Sequence, residues 1–255
     1  MSPVTPTGLL GIQKSGAGER DRVGGGSYSC WVKSIPALIL AFATSLAPAL
    51  ASPIPASLPA SGVVALESDL LKAAPGLHPE ALHAALASWD SLRARGEVQT
   101  PVLCVIDYGL PSTEKRMWVL DLASERVLFH ELVAHGRNSG ENVADAFSND
   151  DGSHMSSLGA FVTGGTYDGH NGYSLRLRGT EPLNDRAEAR AIVMHGAPYV
   201  NESIVKSQGR LGRSWGCPAV RPEIAHALID ELKDGSVLYA WHPSIDEAPT
   251  TQAAP

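Results

Sequence analysis

Cys217 and His195 are the residues of this chain whose types and setting point to chemistry. Cys217 lies between a glycine and a proline in residues 212–218 (GRSWGCP), and His195 precedes Gly196 at the end of a short strand-like run. The thiolate is the nucleophilic form of cysteine, and a thiol with an ordinary pKa of about 8.5 needs a base or a positive charge to form it. A histidine can take that proton and return it to a leaving amine. The pair therefore predicts covalent catalysis through a thiol.

Backbone amides and arginines around the cysteine are candidate groups for binding negative charge. Because Pro218 has no N–H, amides that stabilise an oxyanion must come from the residues before it. These candidate donors are the amides of Trp215, Gly216 and Cys217. The same segment contains three arginines, Arg210, Arg213 and Arg221. Their guanidinium groups are of the type that binds a substrate carboxylate in a bidentate manner.

Two other motifs suggest serine chemistry instead. Residues 212–216 match the G-x-S-x-G nucleophile elbow, which needs a strand before the serine and a helix directly after it. Pro218 lies where that helix should begin. Ser203 and Lys206 match S-x-x-K of penicillin-interacting serine enzymes, but no K-[ST]-G follows them. The thiol remains the favoured nucleophile.

The histidines of the chain raise the question of a metal site. His135, His154, His170 and His195 show neither H-E-x-x-H nor another close ligand spacing. Residues 24–26 (GGG) follow no strand, so they do not predict a phosphate-binding loop. We therefore expect neither a metal nor a cofactor. His135 and His154 are instead candidate substrate-binding residues of the cleft around the cysteine.

Length and charge limit the class of protein. A chain of 255 residues with 44% hydrophobic residues can form one sizeable domain and a small appendage. Its glycine and proline content and its few aromatic residues favour β-structure with many turns. The formal net charge of −7 argues against nucleic acid as a partner, because phosphate binding needs a basic surface. A mildly acidic enzyme with a neutral or zwitterionic substrate fits these values.

The N-terminal region has the pattern of an export signal. Residues 35–51 form an uncharged apolar stretch that follows basic residues and ends in Ala49-Leu50-Ala51, an A-x-A cleavage pattern. A membrane anchor is the alternative, but Pro48 and the small residues make the stretch short for a span. We predict a signal peptide over residues 1–51, with a long n-region that leaves a downstream start codon open. The protein would then be exported, periplasmic or associated with the cell wall, without a stable membrane anchor after cleavage.

Export changes how the cysteines are interpreted. Once residues 1–51 are removed, Cys104 and Cys217 remain, in an oxidising compartment where two thiols can form a disulfide. Cys104 lies in the apolar run 102–106 (VLCVI), which is typical of a buried strand, where cysteine acts as a small hydrophobic residue. Cys217 lies among glycine, serine and proline. We expect Cys217 to be the accessible free thiol, with a Cys104–Cys217 disulfide as the alternative.

Composition divides the rest of the chain into four parts. Residues 52–64 are a Pro/Ala/Ser linker, residues 65–96 a segment of two short helices, and residues 244–255 a disordered polar tail. Residues 97–243 contain runs rich in valine, leucine and aromatic residues, which are typical of strands, and a long glycine-rich polar stretch over 135–172. This outline predicts a mainly β domain, a sandwich or barrel-like fold with a few short helices, preceded by a small helical segment.

The segments around the two reactive residues resemble a known family. His195-Gly196 followed by residues 214–217 (SWGC) is similar to the signature of YkuD-type L,D-transpeptidases, a His-Gly and then a Ser-x-Gly-Cys. The likeness to the murein L,D-transpeptidase catalytic domain extends over residues 134–140, 153–159 and 209–219, and covers roughly residues 102–241. The chain departs from the family at Trp215, where many members have histidine, and at Arg221, which lies further from the cysteine than the family's arginine.

The resemblance implies a YkuD-like β-sandwich catalytic domain that acts on peptidoglycan stem peptides, as donor and as acceptor. Cys217 would attack the third stem residue, a diamino acid, and release the terminal D-alanine; the amine of a second stem would then resolve the thioester in a 3→3 cross-link. His195 corresponds to the base, Gly196 orients it through its carbonyl, and Ser214 belongs to the substrate-binding segment. An L,D-carboxypeptidase, in which water resolves the thioester, and a non-catalytic peptidoglycan-binding module remain alternatives.

Overall fold

The structure is a computed structural model that describes residues 60–247, with side chains for residues 64–245. The predicted export signal (1–51), residues 52–59 of the predicted linker and residues 248–255 of the predicted tail lie outside this range. The first helix, α1 (Ala60–Ala73), begins within the segment assigned to the linker, and residues 243–247 form a short 3-10 helix. Within residues 60–247, no helix has the length and apolar character needed to cross a lipid bilayer.

The helical segment packs against the β-domain. Helix α2 (Pro79–Ala94) begins with proline at its first position, where the missing N–H is not needed, and Gly96 follows its end with a φ of 74°. One face of α2 is buried and contains Ala81, Leu82, Ala85, Leu86, Trp89 and Leu92. These residues share a core with Leu103 and Val105 of the first strand. The helical periodicity of these apolar residues therefore marks a packing face.

Eight strands form the main domain. They are β1 (Val102–Asp107), β2 (Met117–Asp121), β3 (Arg126–Glu131), β4 (Gly159–Gly169), β5 (Gly172–Gly179), β6 (Val193–Gly196), β7 (Ala219–Val220) and β8 (Val237–Trp241). Two further helices, α3 (Glu202–Gln208) and α4 (Pro222–Leu232), lie on either side of β7 in the sequence. The prediction of a mainly β domain with a few short helices is confirmed.

The strands form one continuous sheet in the order β3-β2-β1-β8-β4-β5-β6-β7. Most neighbours are antiparallel, but β1 pairs with β8, and β6 with β7, in parallel. The two edges approach each other, because bridges join Ala134 to Ala219 and Gly136 to Ser214. The segment after β3 thus meets the segment that carries the cysteine, and the sheet nearly closes into a barrel. Closure leaves fewer unpaired strand edges.

The long polar stretch over residues 135–172 contains the longest strand of the described chain, β4, which the sequence did not reveal. Its glycines weaken the strand pattern, whereas the paired neighbours β5 and β8 on its two sides satisfy its backbone. Alternate residues of β1 face two cores: Cys104 and Ile106 on one side, and Leu103 and Val105 on the other. The core that contains Cys104 also reaches Cys217.

Candidate active site

Strands β6 and β7 place the histidine and the cysteine together. The two strands are parallel, and His195 lies directly beside Ala219, two positions after Cys217. Counting back two residues along both strands places Cys217 beside Val193, the first residue of β6. The Val193 amide donates a hydrogen bond to Cys217 Sγ over 3.5 Å. Helix α4 begins only at Pro222, after β7. The two parallel strands therefore bring two residues that are distant in sequence to one end of the sheet.

A cavity of about 590 Å³ opens at this end of the sheet. Of the residues predicted from the sequence, it is lined by Cys217, His195, Gly196, Ser214, Trp215 and Arg213. The thiol and the imidazole thus face the same space, as a nucleophile and its base must. Arg210, His135 and His154 do not line it.

His195 is held in a single orientation by its neighbour. Its Nδ1 lies 2.9 Å from the Gly196 carbonyl oxygen, and because a carbonyl can only accept, Nδ1 carries the proton and Nε2 keeps the lone pair. His195 is 5% exposed. Burial lowers the pKa of His195 below its ordinary value of 6.5, against the smaller opposing effect of the Gly196 carbonyl. The imidazole is therefore neutral at neutral pH and can accept a proton at Nε2.

Cys217 is a free thiol that is 9% exposed, and Cys104 is free and fully buried. The predicted alternative of a Cys104–Cys217 disulfide is therefore not formed in this structure. The Cys217 thiol donates to the Ala191 carbonyl over 3.8 Å. Burial raises the pKa of Cys217 above its ordinary value, and the Val193 amide and the charge of Arg190 offset part of that rise. At neutral pH the resting pair is thus a thiol beside a neutral imidazole.

The turn before the cysteine is held by Ser214. The Ser214 hydroxyl donates to the Cys217 carbonyl over 2.6 Å and accepts from the Gly216 amide over 3.0 Å. This second bond occupies the Gly216 N–H, so the predicted oxyanion donors reduce to the amides of Trp215 and Cys217. Ser214 itself is 5% exposed and shapes the turn, although it was predicted to bind substrate. The same two bonds, and the start of α4 at Pro222, do not fit a serine nucleophile elbow.

Two arginines that were predicted to bind a substrate carboxylate already pair with a carboxylate of the protein. Arg213 and Arg210 both contact Glu141, over 2.7 and 2.8 Å respectively. Arg213 also donates to the carbonyls of Arg137 and Gly140. Arg213 lines the cavity, and Arg210 does not. Both guanidinium groups are thus partly satisfied within the protein before any ligand binds.

His135 lies in the interior behind the cavity and is fully buried, which differs from its predicted role in substrate binding. Arg116, also fully buried, donates from Nη2 to His135 Nδ1 over 2.7 Å, so the opposite nitrogen donates to the Gly140 carbonyl over 3.3 Å. Burial and the Arg116 charge lower the pKa of His135 to about 4. His135 is therefore a neutral structural link between two loops.

His154 stacks on the indole of Trp215, with ring centroids 4.9 Å apart and an interplanar angle of 21°. Trp215 is 67% exposed and lines the cavity, so the stacked pair forms part of its rim. The backbone of His154 has a φ of 55°, in the left-handed region. His154 is therefore adjacent to the cavity through its stack on Trp215 and does not line the cavity itself.

A comparison of the sequence with known protein families identifies the family of the chain. The L,D-transpeptidase catalytic domain family matches residues 73–241, which is more than half of the chain. The chain belongs to this family. Among curated proteins, no sequence gives a significant match.

Solved structures of L,D-transpeptidases resemble the chain at low identity. The L,D-transpeptidase from Mycobacterium smegmatis is 16% identical, with a TM-score of 0.35, over 56% of this chain and 59% of that one. The L,D-transpeptidase from Xylanimonas cellulosilytica is 14% identical, with a TM-score of 0.33, over 72% of this chain and 94% of that one. Family membership rests on the sequence match over residues 73–241.

In this L,D-transpeptidase domain, Arg221, which lies further from the cysteine than the family's arginine, has a different contact from the predicted carboxylate of a substrate. Arg221 makes two bonds to the Glu131 carboxylate, from Nε over 2.9 Å and from Nη2 over 2.6 Å. The bonds join the start of α4 to the end of β3, and Arg221 does not line the cavity. Among residues 64–245, no group of three or more histidine, cysteine or acidic side chains is placed to hold a metal ion.

Arg190 and Tyr199 are among the residues of the L,D-transpeptidase cavity that sequence reasoning missed. Burial raises the pKa of Tyr199 to about 12, so its phenol is a hydrogen-bond donor at neutral pH. Tyr199 lies three residues after Gly196, close in sequence to the His-Gly pair. Arg190 lies in an irregular stretch of turns before β6 that carries no motif. Only the folded chain shows that it reaches the cavity.

The backbone of Gly216 predicts a sensitive position in this domain. Its φ is 117°, and a Cβ there would lie 2.6 Å from the Met155 carbonyl oxygen and 3.0 Å from Ile192 Cδ1. We expect Gly216→Ala to lower the free energy of unfolding by about 3 kcal/mol, because backbone strain adds to a clash with backbone atoms. Urea unfolding measures this loss.

Gly209, which caps α3, is the matched control because its φ is 70° and a Cβ there meets nothing within 4 Å. Gly209→Ala therefore measures the backbone term alone, at about 1 kcal/mol. Equal losses in the two variants would contradict the predicted clash at Gly216.

Proposed function

We propose that this domain is a cysteine-dependent acyltransferase that acts on peptidoglycan stem peptides. The observation that carries the proposal is the shared cavity, in which the Cys217 thiol and an imidazole with a fixed tautomer face the same space. Family membership supplies the substrate class. A non-catalytic binding module has no need of a thiol or of an oriented base, and both are present here.

The proposed reaction begins with proton transfer from the thiol to His195 Nε2. The sulfur attacks the carbonyl carbon of the third stem residue, and the oxyanion accepts from the amides of Trp215 and Cys217. When the tetrahedral intermediate collapses, the imidazolium returns its proton to the leaving amine, and D-alanine departs. The thioester remains on Cys217. The amine of a second stem then attacks the thioester, its proton passes to His195, and the thiol is restored.

The neutral resting pair suits this order of steps. Because the pKa of Cys217 is raised and that of His195 is lowered, the proton stays on sulfur until the substrate is in place. The base then works during the attack, as in general-base catalysis, without a preformed ion pair. The Gly196 carbonyl fills the place of an orienting carboxylate, since it fixes the ring through Nδ1.

We further propose that residues 97–243 act as the catalytic domain in the periplasm or cell wall, after cleavage of residues 1–51. The A-x-A pattern and the apolar stretch before it support export. The proposed partners are donor and acceptor stem peptides, and the proposed chemistry needs no metal or cofactor. These assignments predict that the mature protein purified from its native host begins close to residue 52.

The decisive experiment incubates the purified chain with a tetrapeptide stem and follows it by intact-mass spectrometry. A covalent adduct on Cys217 with release of D-alanine supports the proposal. Formation of a cross-linked dimer then identifies a transpeptidase, whereas a free tripeptide identifies a carboxypeptidase. No adduct in the presence of a reductant, together with retained peptidoglycan binding, would favour the binding module.

The lowered pKa of His195 predicts how acylation depends on pH. Only the neutral imidazole accepts the thiol proton, so the rate is lost as the pH falls through the folded pKa of His195. Since burial places that pKa below 6.5, we expect the acid limb of the acylation profile to have its midpoint below pH 6.5. Stopped-flow or quenched mass measurements between pH 4.5 and about 8 check this. A midpoint above 6.5 would contradict the assignment of the base.

A further inference from the structure

We propose that Arg190 is a positioning residue that holds a fixed positive charge beside Cys217 and stabilises its thiolate. The inference deepens the proposed function, because it rests on Cys217 being the nucleophile. Neither the signature of the family nor any motif in the sequence points to this arginine.

The location of Arg190 follows from the chain around the thiol. Arg190 and Cys217 line the same cavity. The thiol donates to the carbonyl of Ala191, the next residue after the arginine, and accepts from the Val193 amide. Ala191 has a φ of 53°, a left-handed conformation that is uncommon for a residue with a Cβ. This sharp turn lets one short segment bring both a carbonyl and a guanidinium to the thiol.

Gly216 provides a second measure of how close the guanidinium lies. A Cβ built on Gly216 would be 3.4 Å from Arg190 Nη2, in ordinary van der Waals contact. The guanidinium therefore lies against the residue directly before Cys217.

Four hydrogen bonds to one loop fix the guanidinium. Nη1 donates to the Ser148 carbonyl over 2.9 Å and to the Ser157 hydroxyl over 2.6 Å. Nη2 donates to the Ser153 hydroxyl over 3.1 Å and to the Met155 carbonyl over 2.8 Å. All four partners are neutral, so the bonds orient the guanidinium and leave its positive charge uncancelled.

The guanidinium of Arg190 is not free to hold a substrate carboxylate in a bidentate manner. The four bonds use the four N–H groups on Nη1 and Nη2, so no pair of donors is left for a bidentate carboxylate. Within residues 64–245, Arg190 forms no ion pair; the nearby Asp150 and Asp151 pair with Arg186. A fixed, unpaired cation beside a thiol favours the thiolate.

The pKa shifts of Cys217 and of Arg190 both include an interaction between the two side chains. Burial is the larger influence and raises the pKa of Cys217, while the charge of Arg190 lowers it. For Arg190, burial is the largest influence and lowers the pKa, while the charges of Asp151, of the Cys217 thiolate and of Asp150 raise it, in that order. The guanidinium stays protonated throughout. It thus lowers the cost of moving the proton from sulfur to His195 when the substrate is attacked.

The test measures the thiol directly, through the pH dependence of its alkylation by iodoacetamide in the full chain. Peptide mapping assigns the label to Cys217. We expect Arg190→Gln to displace the profile by about one pH unit toward alkaline pH, so that the rate at pH 8 falls about tenfold. The rate on the alkaline plateau, where the thiol is fully ionised, should be unchanged.

Two further variants separate charge from structure. Arg190→Lys keeps a positive charge without the guanidinium fork, and we expect it to retain most of the original profile. Arg186→Gln removes a charge from the same region that is 49% exposed and already paired, and should leave the profile unchanged. An equal displacement in the lysine and glutamine variants, an unchanged profile in Arg190→Gln, or a lower plateau without displacement would overturn the proposal.

The alkylation experiment tests the role of Arg190 independently of the stem-peptide assay, which tests the proposed function. If wild-type protein gives no acyl-enzyme but Arg190→Gln displaces alkylation, the proposed function fails and the charge on the thiol stands. If acylation occurs but the profile does not move, the proposed function stands and the role of Arg190 fails. Near-ultraviolet circular dichroism of each variant confirms that the cavity is folded.

Discussion

Cys217→Ala is expected to abolish the covalent adduct with a tetrapeptide stem and the accompanying release of D-alanine. The reason is that the thioester forms on Sγ, and no other sulfur lines the cavity among the described residues. Cys217 is 9% exposed, and the substitution removes only its sulfur atom, so we expect the fold to persist. Intact-mass spectrometry and a D-alanine assay measure the loss.

Cys104→Ala is the matched control for this variant. Cys104 is fully buried in the core, and burial raises its pKa far above the ordinary range, so it has no access to substrate and no thiolate at neutral pH. We expect normal acylation and a loss of about 1 kcal/mol in the free energy of unfolding from the small cavity. Full activity in Cys217→Ala would refute the thiol mechanism.

His195→Asn is expected to slow acylation by about a thousandfold. The asparagine amide keeps a donor near the position of Nδ1 and can still bond the Gly196 carbonyl, but it has no nitrogen in place of Nε2 to accept the thiol proton. Loss of a positioned general base typically costs about a hundredfold to ten thousandfold. Quenched-flow acylation measures the rate, and the acid limb of the pH profile should disappear with the imidazole.

His130→Asn is the control for a strand histidine away from the cavity. His130 stacks on Trp118, with centroids 4.6 Å apart, and contacts the Lys115 carbonyl through Nε2. Its replacement should change stability slightly and leave acylation unchanged. If His195→Asn retained the wild-type rate, or kept the acid limb with the same midpoint, His195 would not be the base.

Much of the architecture was readable from local pattern. The apolar runs predicted most strands, and the 3.6-residue period of α2 predicted its buried face, because local spacing decides which residues share a face. Strand β4 was missed, since its glycines obscure the alternation that pairing with β5 and β8 makes possible. The local sequence does not predict a strand that is stabilised mainly by pairing with its neighbouring strands.

The site divides in the same way. A cysteine between glycine and proline, and a histidine before glycine, were recognisable because the chemistry needs those residue types. His135 and Arg210, which were assigned binding roles, do not line the cavity, whereas Arg213 lines it but also pairs within the protein. Their partners, Arg116 for the histidine and Glu141 for Arg210 and Arg213, are distant in sequence.

The sequence by itself determined which residue can be the nucleophile, which can be the base, and that Pro218 limits the oxyanion donors. Tertiary structure decided that the Gly216 amide is occupied, that Trp215 stacks on His154, and that Arg190 lines the same cavity as the thiol. The physical reason is that reactivity belongs to a residue type, whereas burial, charge and hydrogen-bond partners depend on what the fold places nearby. At Cys217 those neighbours come from β6, from the turn before it and from the loop that Arg190 holds.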